Sequence, residues 1–317
     1  MIQESGINNN NLISNNQKKF TMILGQKYWK KANKIIPGGT MLFSKNPDLF
    51  LPQLWPAYFS KAKGCMIWDL EKKKYIDIST MSVGTCSLGY ANDDIDKEVI
   101  KKIRLGNMSS LNNYEEIQLA ENLIDMHRWA DMVKFARSGG EANAIAVRIA
   151  RAATNKKNIA VCGYHGWHDW YLSGKLNKSN NLESFLFSNL PIKGVPNNLK
   201  NTTYTFEYNN IVQLKKLISN NNIGIIKMEV SRNEEPKNNF LKEIRKLCDK
   251  KNIILIFDEC TSGFRKTFGG LHKHYKVTPD IAIFGKALGN GYAVNAIIGK
   301  KNVMESANST FISSTFW

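Results

Sequence analysis

Apolar and polar positions along the chain fall into two rhythms. Short apolar, strand-like runs stand at 132–136 (MVKFA), 158–162 (NIAVC), 223–229 (IGIIKME), 252–257 (NIILIF) and 280–284 (DIAIF). Between them, helical periodicity marks 141–153 (EANAIAVRIARAA) and 239–250 (NFLKEIRKLCDK). In the first of these, Ala142, Ile145, Ala146, Ile149 and Ala153 share one face, with side chains small enough to pack tightly on a sheet. Strands alternating with helices predict an α/β fold, a mainly parallel central sheet wrapped by helices.

The first part of the chain has another character. Residues 25–80 hold an amphipathic start, a Pro-Gly-Gly turn at 37–39, a proline-dotted stretch and then GCMIWDLEKKKYIDIS. That last piece predicts a β-hairpin with strands near 65–69 and 74–78 around a charged turn. The expected organisation is a polar, mobile extension over 1–20, an N-terminal segment with the hairpin over 21–85, and a large α/β domain over 86–317. The Asn-rich patches at 8–16, 176–181 and 197–201 are expected to be loops, and no internal repeat is present.

Composition narrows the class. A hydrophobic fraction of 43% and a charged fraction of 22% over 317 residues describe a globular protein with a substantial core. No window approaches a membrane span, and the start of the chain carries neither a signal-peptide nor a transit pattern, so a cytoplasmic location is expected. Cys65, Cys86, Cys162, Cys248 and Cys260 form no CxxC pair, sit mostly in apolar runs and suit reduced, buried thiols. The pairs His165/His168 and His272/His274 lack both the i, i+4 spacing and a carboxylate partner, so no metal site is predicted. The net charge of +17 comes from lysine pairs spread along the whole chain rather than one stripe with interleaved aromatics. Nucleic acid is therefore not an expected partner. An attraction for small anions stays open.

In an open α/β sheet, ligands collect beyond the carboxyl ends of the strands. After 132–136 comes RSGGEA, a glycine pair opening a helix. Its free N–H groups at Gly139, Gly140 and Glu141 either cradle a phosphate or form an ordinary strand-to-helix turn. After 158–162 comes GYHGWHDW, where Tyr164 or His165 stacks on a planar ring or simply packs on the core. Asp258 ends an apolar strand, a costly place for a carboxylate unless it caps a helix, joins a salt bridge or meets a cationic ligand. Lys286 leaves the strand 280–284 into a loop with Gly285, Gly289 and Gly291, as a solvated charge or as a nucleophile. A strand-end aspartate, lysine, phosphate cup and aromatic together fit one cofactor, pyridoxal 5'-phosphate.

The segment LIFDECTSGFRKTFGG…HYKVTPDIAIFGKALGNGYAVNAIIGK, over 255–300, resembles the signature of the class III, fold-type I aminotransferases. RSGGEANAIAVRIARA and GYHGWHD are similar to that family's phosphate-cup and ring-stacking segments, in the right order. Within the family, the branch most resembled is the glutamate-1-semialdehyde aminomutase-like one, which includes aminotransferases of cell-surface carbohydrate pathways. The resemblance implies that Lys286 is the Schiff-base lysine and Asp258 the partner of the pyridine nitrogen. Ser138, Gly139 and Gly140 would hold the phosphate, although threonine is commoner where Gly140 stands. Tyr164 would stack on one ring face, with neighbouring His165 also in the cofactor's surroundings and Cys260 against the other face. Glu229 would lie near the ring substituents, and Thr315 would reach the phosphate of a partner subunit, implying a homodimer.

Two departures shape the expectation. The aminomutase proper carries a carboxylate-binding arginine shortly after Pro-Gly-Gly, where this chain has TMLFSKNPDLF with Lys45 as the nearest basic residue. A lysine lacks the bidentate fork. Transfer of an amino group from a small-molecule donor to a carbonyl acceptor is therefore expected, with intramolecular aminomutase chemistry as the alternative. The family also continues as a C-terminal domain beyond the position of Trp317, so the chain is expected to be a fragment. A cofactor-binding but inactive homologue is the remaining alternative.

Overall fold

The computed structural model describes residues 23–78, 81–177, 182, 185 and 191–317. The expected extension at 1–20, the patch at 8–16 and most of 176–181 lie outside the described residues. The chain divides into two compact units, one running through Asp77 and the other starting at Ile78.

In the first unit, a helix at Leu24–Ile35 buries Gly25, Gln26, Trp29 and Ala32, a single stripe at helical spacing. Three antiparallel strands follow: β1 (Phe59–Lys63), β2 (Met66–Asp69) and β3 (Lys74–Ile76). The β2–β3 hairpin is the one expected from sequence, slightly shortened. Asp69 organises its turn, accepting hydrogen bonds from the N–H groups of Glu71 and Lys73, both at 2.9 Å. The Tyr75 hydroxyl donates to the same carboxylate at 2.9 Å. Lys45 is exposed, in a short 3-10 turn at Phe43–Lys45.

The second unit is built on a seven-stranded sheet. Its strands are β4 (Met132–Ala136), β5 (Asn158–Cys162), β6 (Thr203–Thr205), β7 (Ile223–Glu229), β8 (Ile254–Asp258), β9 (Ile281–Phe284) and β10 (Asn295–Gly299), in the order β4-β10-β9-β8-β7-β5-β6. The pairs between β9 and β6 are parallel, whereas β10 runs antiparallel to both its neighbours. Reversing twice through β10 leaves β4 pointing the same way as β9. The carboxyl ends of β4, β5, β7, β8 and β9 therefore share one edge of the sheet. That single fact positions the site.

Both faces of the sheet are covered. The helix Gly139–Thr154 packs Ala142, Ile145, Ala146 and Ile149 against Val161, Ile225, Ile256, Ile283 and Ile297. Ala153, expected on the same face, is exposed. It falls in the last turn, where the helix has run past the sheet and the backbone turns left-handed at Asn155. On the other face, the helix Phe240–Lys251 buries Phe240, Leu241, Ile244 and Cys248 against Ile226, Met228, Leu255 and Phe257. Among the described residues, no helix is long and apolar enough to cross a membrane.

Candidate active site

Register brings the strand ends together. Glu229 at the end of β7 is the partner of Asp258 at the end of β8, and Asp258 is in turn the partner of Ile283 on β9. Asp258 is only 3% exposed. Its Oδ2 accepts from His165 Nδ1 at 2.8 Å and lies 3.8 Å from Lys227 Nζ, while Oδ1 accepts from the Cys260 N–H at 3.1 Å. Burial alone would raise the affinity of this carboxyl for a proton. The Lys227 charge and the His165 hydrogen bond outweigh it and hold Asp258 well below the usual carboxylate range.

Lys286 follows β9 after Gly285 and adopts a left-handed backbone with φ of 45°. That is a costly conformation for a residue with a side chain. Its Nζ donates to Thr261 Oγ1 at 3.1 Å, in the loop after β8. Burial lowers the affinity of this amine for a proton, and the positive charges of Arg232 and Arg265 act in the same direction. Gly285 admits no side chain, because a Cβ there would sit 2.0 Å from Asn295 Oδ1 and 3.3 Å from Cys260 Sγ. A Cβ on Gly139 would lie 3.6 Å from the same sulfur. Thus Cys260 joins the Lys286 loop to the start of the helix Gly139–Thr154. Its thiol is pushed well up by burial and by the Asp258 charge, so it is no thiolate nucleophile.

That helix start is open to an anion. Ser138 is the N-cap, its Oγ accepting from the Glu141 N–H at 3.3 Å, and the first helical bond runs from the Ala142 N–H to the Ser138 carbonyl. The N–H groups of Gly139 and Gly140 precede that bond and are free of the helix. The structure also gives a reason for glycine at 140. A Cβ there would stand 2.8 Å from Cε1 and 2.9 Å from Nδ1 of His168, so the imidazole occupies that space.

The loop after β5 supplies the remaining residues. Tyr164 is 43% exposed, with the Arg232 guanidinium 5.7 Å from its ring centre. Its N–H donates to Glu229 Oε2 at 3.0 Å, and Arg232 Nη1 donates to the same oxygen at 3.3 Å. Glu229 is shifted toward its protonated form by burial first and by the Asp258 charge second. His165, by contrast, is 1% exposed beneath Asp258, so it offers no open ring face. Thr315 is exposed, between Ser314, whose hydroxyl bonds Glu141 Oε1, and Phe316, whose carbonyl accepts from Arg137 Nε at 2.7 Å.

Lys227, Arg232, Thr261 and Asn295 belong to this constellation and were not singled out from sequence. Lys227 had a signal: a lone lysine inside IGIIKME, a strand buried throughout. Arg232 had less, being one of several polar residues in a loop. The histidines of the HKH stretch serve other ends. His272 Nδ1 meets Glu259 Oε1 at 2.5 Å and its Nε2 accepts from Trp129 Nε1 at 3.0 Å. Among the described residues, no group of three or more His, Cys, Asp or Glu is placed to hold a metal.

A buried carboxylate, a largely buried amine and a helix start with free N–H groups thus share one sheet edge. Comparisons with known proteins bear on the family. The family model for class III aminotransferases matches residues 52–317. The 3-aminobutyryl-CoA aminotransferase of Cloacimonas acidaminovorans is 33% identical, covering 95% of this chain and 70% of that protein. The glutamate-1-semialdehyde 2,1-aminomutase of Methanobrevibacter smithii is 36% identical, covering 87% and 64%. The chain thus spans about two thirds of the length of these relatives. Among solved structures, the FumI protein of Sphingopyxis sp. MTA144, in a PLP-bound form, superposes with a TM-score of 0.79 at 26% identity, covering 92% of this chain and 68% of that one. An omega-transaminase from Sphaerobacter thermophilus shares the fold with a TM-score of 0.80 at 24% identity, covering 95% and 71%. With a family model matching most of its length and relatives 33% and 36% identical, the chain belongs to the class III aminotransferase family.

Proposed function

We propose that this chain acts as a pyridoxal-phosphate-dependent aminotransferase that moves an amino group from a small-molecule donor to a carbonyl acceptor. The observation that carries the reading is the Lys286 amine, desolvated and held by Thr261, one strand away from the ionised Asp258.

The residues present fit the cofactor. Asp258 is a buried anion suited to a protonated ring nitrogen, and the free N–H groups of Gly139 and Gly140 with the Ser138 hydroxyl suit a phosphate. Tyr164 supplies an accessible aromatic face, Cys260 a small apolar contact, and Glu229 a carboxyl whose proton affinity is raised by burial, near a ring substituent. Bound there, pyridoxal phosphate supplies an aldehyde that takes up the amino group and a ring that accepts electron density.

The chain's own residues then divide the work. Asp258 would hold a proton on the ring nitrogen. Lys286, poised toward the free amine by burial, would take a proton from the substrate carbon and deliver it to the carbon that carried the cofactor's aldehyde, acting as base and then acid. Thr261 orients that amine. Arg232, beside Tyr164 and Glu229, faces an anionic group of the substrate with the part of its fork that Glu229 leaves open.

Transfer between two substrates is favoured over aminomutase chemistry, because the stretch after Pro-Gly-Gly lacks the arginine with which the aminomutase binds a carboxylate and offers Lys45 as its nearest basic residue. The relatives bearing the aminomutase name keep that second reading in view. A role in carbohydrate or cell-surface biosynthesis is the finer proposal, on the branch resemblance. The proposed assembly is a homodimer in which the Thr315 hydroxyl serves the neighbouring site. A half-reaction screen tests the activity: the loaded protein is mixed with candidate amines and cofactor absorbance is followed. Conversion to the pyridoxamine form with at least one amine is expected. No conversion across amino acids, amino sugars and simple amines would contradict the proposal.

A further inference from the structure

Lys227 is the least expected residue in the core. It stands within β7, is 0% exposed, and its Nζ has no hydrogen-bond partner among the described residues. Alternate residues of a strand share a face, so Lys227 lies on the Glu229 side of β7, under the helix Gly139–Thr154. Its Nζ is 3.8 Å from Asp258 Oδ2, the same oxygen that receives His165 Nδ1 at 2.8 Å. One buried carboxylate oxygen therefore meets two groups able to carry a positive charge. Charging both would leave an uncompensated cation in a dry core, which is strongly disfavoured. A lysine holds its proton far more tightly than an imidazole, so the charge falls to Lys227.

We propose that Lys227 is a positioning residue for Asp258: it is the standing cation that keeps this carboxylate ionised and His165 a neutral Nδ1–H donor. The charge presented at the end of β8 then stays constant through the neutral pH range. The use of that constancy rests on the reading of Asp258 as partner of a cationic ring nitrogen; the charge assignment does not.

The surroundings agree. His165 is faced by Asp258, Lys227, the Cys162 carbonyl and the edge of Tyr171, at 5.6 Å between ring centres. Lys227 is faced by Asp258, the neutral Cys260 thiol and Glu229; burial lowers the proton affinity of its amine, and the negative charge of Asp258 foremost opposes that effect. The covering helix brings Ala142, Ile145, Ala146 and Ile149 into the same buried cluster as Val161, Ile225 and Ile256. Burial first, and the Lys227 charge second, press the His165 pKa down to about 4.

The test is magnetic resonance on the cofactor-free chain. In the wild type, the Lys227 side chain should appear as an ammonium at neutral pH and the His165 ring should stay neutral down to about pH 4. In Lys227→Met, the His165 midpoint should rise by at least about one pH unit, a tenfold gain in proton affinity. Lys227→Gln, the second neutral variant, should do the same. A neutral Lys227 amine at pH 7 in the wild type would overturn the proposal, whether or not either variant folds. So would an unchanged His165 midpoint in a folded neutral variant. Loss of cofactor binding with both titrations as expected would count against the functional reading alone.

Discussion

Glu229 and Asp258 end adjacent parallel strands as register partners, two carboxylates side by side above the buried Lys227. Like charges so placed do not both ionise freely, and the surroundings push them apart. Asp258 is held ionised by Lys227 and His165, whereas Glu229 is moved toward its protonated form by burial and by the Asp258 charge. Environment thus gives two chemically equal groups opposite shifts in proton affinity.

Replacing Asp258 by Asn removes the anchor and strands Lys227. The variant should lose about 3–5 kcal/mol of stability, the usual consequence of breaking a buried pair from one side. Adding Lys227→Met should recover much of that loss without recovering amino transfer, which should stay at least about 100-fold down. Denaturant unfolding and turnover on both variants check this. Near-normal turnover in Asp258→Asn would refute the anchoring role.

Gly140→Ala should be resisted by one side chain. The new methyl group meets the His168 ring at 2.8 Å. The substitution should cost about 1–3 kcal/mol alone and at least about 1 kcal/mol less in a His168→Ala background. A double-mutant cycle by thermal or denaturant unfolding measures the coupling. Additive effects would mean that His168 does not set the space at 140.

Acid should weaken the fold as its buried histidines take up protons. His127 accepts from the Gly270 N–H on Nε2 at 3.1 Å and meets the Leu123 carbonyl through Nδ1 at 2.9 Å, an arrangement only the neutral ring satisfies. Burial presses His127 and His165 from 6.5 to about 4. Between those values the unfolded chain binds more protons than the folded one. Their stabilising contribution is therefore full above pH 6.5 and is lost as pH falls toward 4. Unfolding at stepped pH should show uptake of about two protons in this window. His127→Gln should reduce the slope by about one.

Much of this was readable from the residues, for physical reasons that differ by element. The runs at 132–136, 158–162 and 223–229 are strands with those bounds, because their apolar side chains have two faces to fill. β8 begins later than expected and takes in Asp258, whose partners lie on other strands and are invisible locally. β10 was missed because NAIIG is short and glycine-ended, and its meaning comes from pairing between β4 and β9. β1 was missed because FSKAK has no apolar face. Lys286 and Asp258 stood out because a charge at a strand end is conspicuous. Lys227 was overlooked inside an aliphatic run, and its partner Asp258 is brought near only by the β7–β8 register.

Aminomutase and aminotransferase chemistry separate on one requirement, an added amino donor. With no arginine in the stretch after Pro-Gly-Gly and Lys45 its nearest basic residue, the loaded protein should isomerise glutamate-1-semialdehyde at least about 100-fold more slowly than it transfers an amino group to its preferred acceptor. Donor-free isomerisation at a comparable rate would reverse the preference.

The central claim is that Lys286 is the amine that meets the cofactor. Borohydride reduction of the protein with pyridoxal phosphate, followed by peptide mapping, tests it most directly. The account predicts the reduced label on Lys286, and in Lys286→Ala no label together with retained non-covalent binding through Asp258 and the Ser138–Gly140 turn. A label on any other lysine in the wild type, or an undiminished label in the variant, would contradict it.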